Sequence, residues 1–272
     1  MDKERIHETV REGYTRVAEQ GCGCGGGCCG GTDAGEISGK IGYTQEEMES
    51  VPTGANLGLG CGNPIAFASL LPGETVLDLG SGAGFDAFIA ARAVGEDGRV
   101  IGVDMTPAML ARARENASAG GYGNVEFRLG EIEHLPVADR SVDAIISNCV
   151  INLSPEKGQV FLEAFRVLKP GGRLLVSDIV MVGELPERVR ESIAAYVGCI
   201  AGAVSRERYL ALIRRAGFAE VEVVEEASFP VSCMANDPTA QVVFGDLALM
   251  PDELRATESA IASVRVRAVR PI

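Results

Sequence analysis

The stretch Val76-Leu77-Asp78-Leu79-Gly80-Ser81-Gly82-Ala83-Gly84-Phe85-Asp86 decides the fold of this chain. Its first residues read as a short apolar strand, its glycines as a tight turn, and Phe85 onward as a helix. Strand, glycine turn and helix in that order make the crevice where doubly wound sheets bind ligands. Glycine supplies positive φ and lets a ligand come close to the backbone. The spacing is Gly-x-Gly-x-Gly, whereas a dinucleotide fingerprint wants glycine or alanine where Phe85 stands. The next strand ends in Asp104, about 20 residues beyond the turn, where a carboxylate can accept two hydrogen bonds from a ribose diol.

Outward from this turn, β-rich runs alternate with helical ones. Thr75–Leu79, Arg99–Val103, Val125–Leu129, Val142–Ser147 and Arg173–Val180 read as strands, with helices near 84–94, 107–119 and 156–168 between them. Strict alternation implies parallel strands joined by crossover helices that cover both faces of one sheet, a doubly wound α/β fold. Helical stretches at Glu187–Ala201 and Ser205–Ala216 follow, then a strand at Glu220–Glu226. The alternation Ala262 to Val269 has period two and suits an exposed or edge strand. Three regions result: 1–73, 74–180 as the α/β core, and 181–272 as a smaller α+β addition.

Before the core, Ile6, Val10, Tyr14 and Val17 line one face of a helix over residues 3–20, with His7 placed on its charged, solvated side. That helix ends at Gly21, because Gly21-Cys22-Gly23-Cys24-Gly25-Gly26-Gly27-Cys28-Cys29-Gly30-Gly31 costs too much backbone entropy to hold regular structure. A second irregular stretch, Pro52 to Pro64, carries Cys61 among small residues.

At 272 residues the chain accommodates one α/β domain with an appended region. Its net charge of −13, with no basic cluster, excludes a nucleic-acid partner, since polyanion binding rests on clustered Lys and Arg. No apolar run is long enough to span a bilayer and the N-terminus lacks a secretory segment, so the expected location is the cytoplasm, with no membrane partner. Eight cysteines in a reducing compartment point to ligand binding or redox chemistry rather than a disulfide framework.

Three further segments sharpen the reading. Gly130-Glu131-Ile132-Glu133-His134-Leu135-Pro136 follows the third strand, Asp143–Cys149 forms the fourth, and Arg166-Val167-Leu168-Lys169-Pro170-Gly171-Gly172 precedes the fifth. With the glycine turn they make residues 74–180 resemble the class I methyltransferases, whose sheet is seven-stranded and mostly parallel. The resemblance implies S-adenosylmethionine as methyl donor, with Gly80, Gly82 and Gly84 near its amino-acid part, Asp104 and Met105 at the ribose, and Ile132 and Glu133 flanking the adenine. Asp78, Ser81 and Asn148 complete the candidate cofactor set. His134, beside the expected adenine pocket, reads as structural.

Methylation of oxygen or nitrogen commonly needs a base, with histidine the usual candidate. Only His7 and His134 are present, which fits an acceptor carrying its own lone pair. Cysteines are abundant instead. Cys149 follows the fourth strand at the carboxyl edge of the sheet, where the transferable methyl should point. Cys199 lies in a segment that the topology could fold over the same edge. Each could also be a small buried hydrophobe. Soft thiolates select soft ions. The group Cys22, Cys24, Cys28 and Cys29 has the spacing C-x-C-x3-C-C, which matches neither zinc pairs nor iron–sulfur clusters.

Gly58-Leu59-Gly60-Cys61-Gly62-Asn63-Pro64, Ser147-Asn148-Cys149-Val150-Ile151-Asn152-Leu153 and Cys199-Ile200-Ala201-Gly202-Ala203 make the chain similar to the arsenite methyltransferase family over residues 14–230. Four cysteines act in that family, and they map here to Cys28 or Cys29, Cys61, Cys149 and Cys199. The resemblance implies that Cys61, Cys149 and Cys199 bind trivalent arsenic, as arsenite or methylarsenite. It also implies that the N-terminal cysteine pairs with Cys61 as a disulfide when arsenic is reduced, and that thioredoxin or a similar dithiol reductant resets the pair. Two departures stand out: Gly198 occupies a position that is a carboxylate in some relatives, and the N-terminal segment has four cysteines. Cys233 reads as structural. The competing readings are a class I methyltransferase for a small organic metabolite and a soft-metal-binding protein without turnover.

Overall fold

In the computed structural model, which describes residues 3–20, 34–190, 202–229 and 251–272, the glycine-bearing stretch opens a single seven-stranded sheet. Before the sheet lie α1 (Lys3–Gln20), α2 (Ala34–Lys40) and α3 (Gln45–Glu49). Then β1 (Thr75–Leu79), α4 (Phe85–Val94), β2 (Arg99–Asp104), α5 (Pro107–Gly120), β3 (Val125–Leu129), β4 (Val142–Asn148), α6 (Lys157–Val167) and β5 (Leu168–Met181) alternate as expected. A short α7 (Glu187–Arg190), α8 (Arg206–Arg215), β6 (Ala219–Ser228), α9 (Pro251–Ala260) and β7 (Ile261–Val269) complete the order.

The strands run β3-β2-β1-β4-β5-β7-β6. The first five are mutually parallel, and β7 lies antiparallel between β5 and β6. Side chains alternate across the sheet, as a two-residue period demands. Leu77, Leu79, Ile145 and Val176 pack with Phe161 of α6 and Tyr209 of α8, whose rings meet edge to face at 5.4 Å. Val76, Ala144, Ile146 and Leu175 pack with Phe88 of α4 and Leu110 of α5. Burying each such aliphatic side chain contributes about 1.5–3 kcal/mol, which is why parallel strands covered on both faces read as nearly unbroken apolar runs.

Two expectations change. The period-two segment at 262–269 is not an edge: β7 is interior, and its alternate residues Ala262, Val264, Val266 and Ala268 enter the core. Its arginines are tolerated because β6 answers them, Arg265 meeting Glu225 at 2.5 Å and Arg267 meeting Glu220 at 4.0 Å. The edge on this side is β6, whose exposed glutamates discourage pairing with another strand. The fifth strand begins at Leu168 rather than Arg173, because a register shift opposite Val142 and Ala144 absorbs the Pro-Gly-Gly segment, and Arg270 bonds the backbone of Gly171 and Gly172. Of the stretch read as helical over 187–201, Glu187–Arg190 is helical and the remainder lies outside the described residues. No helix among the described residues is long and apolar enough to cross a membrane.

Candidate active site

The carboxyl ends of β1, β2 and β4 open into one cleft, closed from above by α1. The local sequence dictates this opening. After Leu79 the chain must leave the sheet, and Gly80 and Gly82 do so with φ of 68° and 52°, in the left-handed region that favours glycine. A Cβ on Gly80 would stand 2.4 Å from Val150, so the turn also packs against the loop that follows β4.

Of the expected cofactor residues, Asp78, Gly80, Ser81, Gly82, Asp104, Met105, Ile132, Glu133 and Asn148 line the cleft. Gly84 does not line it; it caps α4 at φ 96°, where a Cβ would stand 2.6 Å from Phe88 and 2.9 Å from Phe127. Its glycine serves packing. Asp104 accepts from the backbone N–H of Gly82 at 2.9 Å and of Thr106 at 2.8 Å, which orients its carboxylate at the end of β2.

The cleft is rich in buried carboxylates. Burial, aided by Asp86 and Asp104, pushes the Asp78 carboxyl well above the usual range. Burial also raises Asp86 to about 6 against the lowering hydrogen bonds from Tyr43 and Asn148. The cleft-lining atoms Asp78 Oδ2 and Ser81 Oγ are buried without a hydrogen-bond partner. A buried carboxylate oxygen of this kind is stabilised by a cationic donor. S-adenosylmethionine carries an ammonium and a sulfonium, so the residues present fit it.

Beside the cleft two cysteines meet, Cys149 on its lining and Cys61 buried behind it. Cys149 lines the cleft immediately after β4, and its left-handed φ of 60°, unusual for a residue with a side chain, is held by its N–H donating to Ser177 O at 2.8 Å. Cys61 donates through its thiol to the same carbonyl at 3.5 Å. Both are buried thiols, and their sulfurs together with a carboxylate oxygen of Asp178 lie within 4.8 Å of one another. Cys28, Cys29 and Cys199, like Cys22, Cys24 and Cys233, lie outside the described residues.

Asn148 lines the cleft, as expected of a cofactor residue, and its side chain also bonds within the protein. Its Oδ1 accepts from Cys61 N–H at 3.1 Å, and Nδ2 donates to Gly62 O at 2.8 Å and Tyr43 Oη at 2.9 Å, with Asp86 Oδ2 3.2 Å away. Tyr43 Oη in turn donates to Asp86 Oδ1 at 2.6 Å.

His7 is not solvated. It lines the cleft, with Nε2 3.1 Å from Glu133 Oε1 and Nδ1 3.5 Å from Glu131. Glu133 Oε1 also accepts from Ser154 Oγ. Together with Lys3–Glu156 and Arg11–Glu131 pairs, these contacts fasten α1 across the cleft. The exposed His134 stands apart from the cleft lining.

Sequence reasoning missed His7, Tyr43, Asp86 and Asp178. His7 lies one heptad before Tyr14, at the border of the apolar stripe, which places it near the buried face. Asp178 stands inside the apolar run of β5, where an acid demands buried partners. Tyr43 had no comparable signal, because its partner Asp86 comes from a distant segment.

A family model described as a methyltransferase domain matches residues 70–217. The arsenite methyltransferase of Halobacterium salinarum is 51% identical over 232 residues, covering 82% of this chain and 59% of that protein. The arsenite methyltransferase of Homo sapiens is 39% identical over 174 residues, covering 61% of this chain and 46% of that protein. The chain thus spans about half to three-fifths of the length of these curated relatives. Among solved structures, the arsenic(III) S-adenosylmethionine methyltransferase of Chlamydomonas reinhardtii is similar at 34% identity and a TM-score of 0.63, over 88% of this chain and 74% of that one.

Proposed function

Because the chain belongs to the arsenic(III) S-adenosylmethionine methyltransferase family, we propose that it moves a methyl group from S-adenosylmethionine to trivalent arsenic, as arsenite or methylarsenite, for arsenic detoxification. The observation that carries this reading is the meeting of Cys61 with Cys149, the cysteine that lines the carboxylate-rich cleft.

The donor, held by Asp78, Ser81, Asp104 and the glycine turn, supplies an electrophilic methyl carbon on a sulfonium leaving group. Buried Asp78 balances its cationic end, and Asp104 at the end of β2 is positioned for the ribose. Ile132 and Glu133, which line the cleft, flank the adenine, with Met105 beside Asp104 at the ribose.

Cys149, Cys61 and Cys199 hold arsenic as thiolates, leaving its lone pair toward the methyl carbon. Thiolates are soft ligands suited to this ion. The attacking atom carries no proton, so no catalytic base is required, consistent with the scarcity of histidines. Alignment of the two reactants is the chief contribution of the protein, and orientation of this kind supplies roughly 7–11 kcal/mol in favourable intramolecular cases.

Methyl transfer takes arsenic formally from trivalent to pentavalent. Two thiols, Cys61 and either Cys28 or Cys29, then supply two electrons, closing as a disulfide while arsenic returns to the trivalent state. Thioredoxin or a similar dithiol reopens the disulfide by exchange, becoming oxidised itself. A reducing cytoplasm suits this cycle.

Incubation of the purified chain with arsenite, S-adenosylmethionine and a dithiol, followed by chromatographic separation of arsenic species, tests the proposal. Methylated arsenic is expected from the parent chain and none from Cys149→Ser or Cys199→Ser, with S-adenosylhomocysteine still bound. Full activity in either variant overturns the ligand assignment, and turnover of a small organic acceptor without any methylated arsenic overturns the reaction.

A further inference from the structure

The cysteine pair has a third neighbour that arsenic chemistry does not call for. Cys61 comes from the loop before β1, Cys149 from the end of β4 and Asp178 from β5, and one donor atom of each lies within 4.8 Å of the others, all three residues buried. We propose that Cys61, Cys149 and Asp178 form a binding site for a thiophilic divalent cation, zinc or cadmium, with the Asp178 carboxylate as third protein ligand.

Geometry permits it. A zinc ion sits about 2.3 Å from sulfur and about 2.0–2.2 Å from a carboxylate oxygen, so tetrahedral ligands stand roughly 3.3–3.8 Å apart. Closing the observed triangle to that size takes side-chain movements on the order of an ångström.

Charge favours a divalent ion. Trivalent arsenic bound by three thiolates is already neutral and gains little from a buried carboxylate. Two thiolates and a carboxylate carry three negative charges, of which a divalent cation cancels two. The remaining one is faced by Lys157, a buried ammonium held on Asn152 O at 3.1 Å and Ser154 O at 2.9 Å, whose charge acts on Asp178. Binding exchanges the two thiol protons, and any proton on the Asp178 carboxyl, for the cation and releases them to solvent.

The carboxylate is also oriented as metal ligands are, by hydrogen bonds to its other positions. Asn152 Nδ2 donates to Oδ1 at 2.8 Å, the N–H of Ile179 to Oδ1 at 2.9 Å, and Tyr209 Oη to Oδ2 at 2.9 Å. Around the cluster, Asn152 Oδ1 and Ser177 Oγ are buried without hydrogen-bond partners, polar atoms that a cation-bound water can satisfy. The site uses two thiols assigned above to arsenic, so a bound cation competes with arsenite, and this consequence alone rests on the arsenic reading.

The test uses the reduced chain with Cys22, Cys24, Cys28 and Cys29 replaced by serine, titrated with cadmium and followed by ultraviolet sulfur-to-cadmium charge-transfer absorption. One cadmium per chain is expected. Affinity is lost in Cys61→Ser and in Cys149→Ser and is retained in Cys199→Ser. In Asp178→Asn it falls by at least the roughly 10–100-fold that changes around metal ligands alone produce. Unchanged affinity in Asp178→Asn, or loss of binding in Cys199→Ser, overturns the site. Should circular dichroism show Asp178→Asn unfolded, Asp178→Cys decides: a third thiolate is expected to intensify the absorption per cadmium, and unchanged intensity overturns the proposal. Cadmium binding with this pattern but no arsenic methylation counts against the proposed reaction and leaves the site standing. Methylation with cadmium binding indifferent to Asp178 does the reverse.

Discussion

The side chain of Asn148 fixes the position of Cys61: its Oδ1 accepts the Cys61 backbone N–H at 3.1 Å, and its Nδ2 donates to the next carbonyl, Gly62 O, at 2.8 Å. The residue after Asn148 is Cys149, so one short segment both carries one cysteine and grips the other. A loop without regular structure is thereby held to the sheet at the point where its thiol is needed. Ser263 Oγ donates to Cys61 O at 2.7 Å and completes the grip.

Replacing Asn148 by alanine leaves the Cys61 N–H and Gly62 C=O without their partners, at about 1–3 kcal/mol for each group left unsatisfied. Calorimetry is expected to show a thermal midpoint lowered by several degrees. Titration with arsenite is expected to show affinity reduced on the order of tenfold, while binding of S-adenosylhomocysteine changes by less than about twofold. Parallel loss of cofactor affinity would instead make Asn148 a cofactor contact, as the sequence alone suggested.

Much of this frame was legible in the chain. The parallel strands announce themselves because burial on both faces leaves unbroken apolar runs, and the glycine turn because positive φ selects glycine. Cys149 was placed correctly at the sheet edge because it directly follows a strand. What escaped depends on contacts between distant segments. The place of Asn148 on the cleft wall is set locally, whereas its hydrogen bonds to the loop at 60–62 are set by a distant segment. The period of β7 gave its two faces but not its neighbours, since an arginine answered by a glutamate across the strand is as well accommodated inside a sheet as at its edge. His7 looked solvated because the charges around it on α1 are complemented by Glu131 and Glu133 from after β3.

Gly82 and Gly84 are two residues apart yet answer to different demands. At Gly82 no atom lies within 4 Å of an added Cβ, and the φ of 52° costs an alanine roughly 1–2 kcal/mol. Gly82→Ala therefore places a methyl group at the cleft wall, and calorimetric titration should show S-adenosylhomocysteine binding weakened about tenfold with a modest stability loss. Gly84→Ala drives its methyl into Phe88 and Phe127, adding roughly 1–3 kcal/mol of overpacking to the backbone strain. Urea unfolding should show the larger stability loss in Gly84→Ala, with cofactor affinity of the folded fraction close to that of the parent. The opposite ranking would place Gly84 at the cofactor.

The fastening of α1 depends on His7. Its contact with Glu133 sits at the cleft, on a carboxylate only 3% exposed, while the Lys3–Glu156 and Arg11–Glu131 pairs are solvent-exposed and contribute little. In His7→Ala, amide hydrogen exchange over residues 3–20 is expected to accelerate, with S-adenosylhomocysteine affinity falling several-fold and exchange in β1 and β4 unchanged. Equal protection of α1 in the variant and the parent would show that Ile6 and Val10, both buried, hold the helix without the histidine.

Asp86 gives the fold a pH dependence of defined sign. Its carboxyl is raised to about 6 in the folded chain by burial, while the unfolded chain titrates near 3.9. Between about pH 4 and pH 6 the folded state therefore holds a proton that the unfolded state has released. Stability from this group is fully present below that window and falls as pH rises through it, levelling off above pH 6. Asp178, raised to about 7 by burial, acts in the same direction and continues the decline toward neutrality. In Asp86→Asn the lower part of the slope disappears while the Asp178 part remains. Urea unfolding at pH 4.5, 6 and 7.5 isolates the difference: the stability of the parent relative to the variant should fall between the first two values and fall much less between the last two. A parent and variant running parallel across all three would mean that the hydrogen bonds from Tyr43 and Asn148 keep Asp86 ionised throughout, despite its burial.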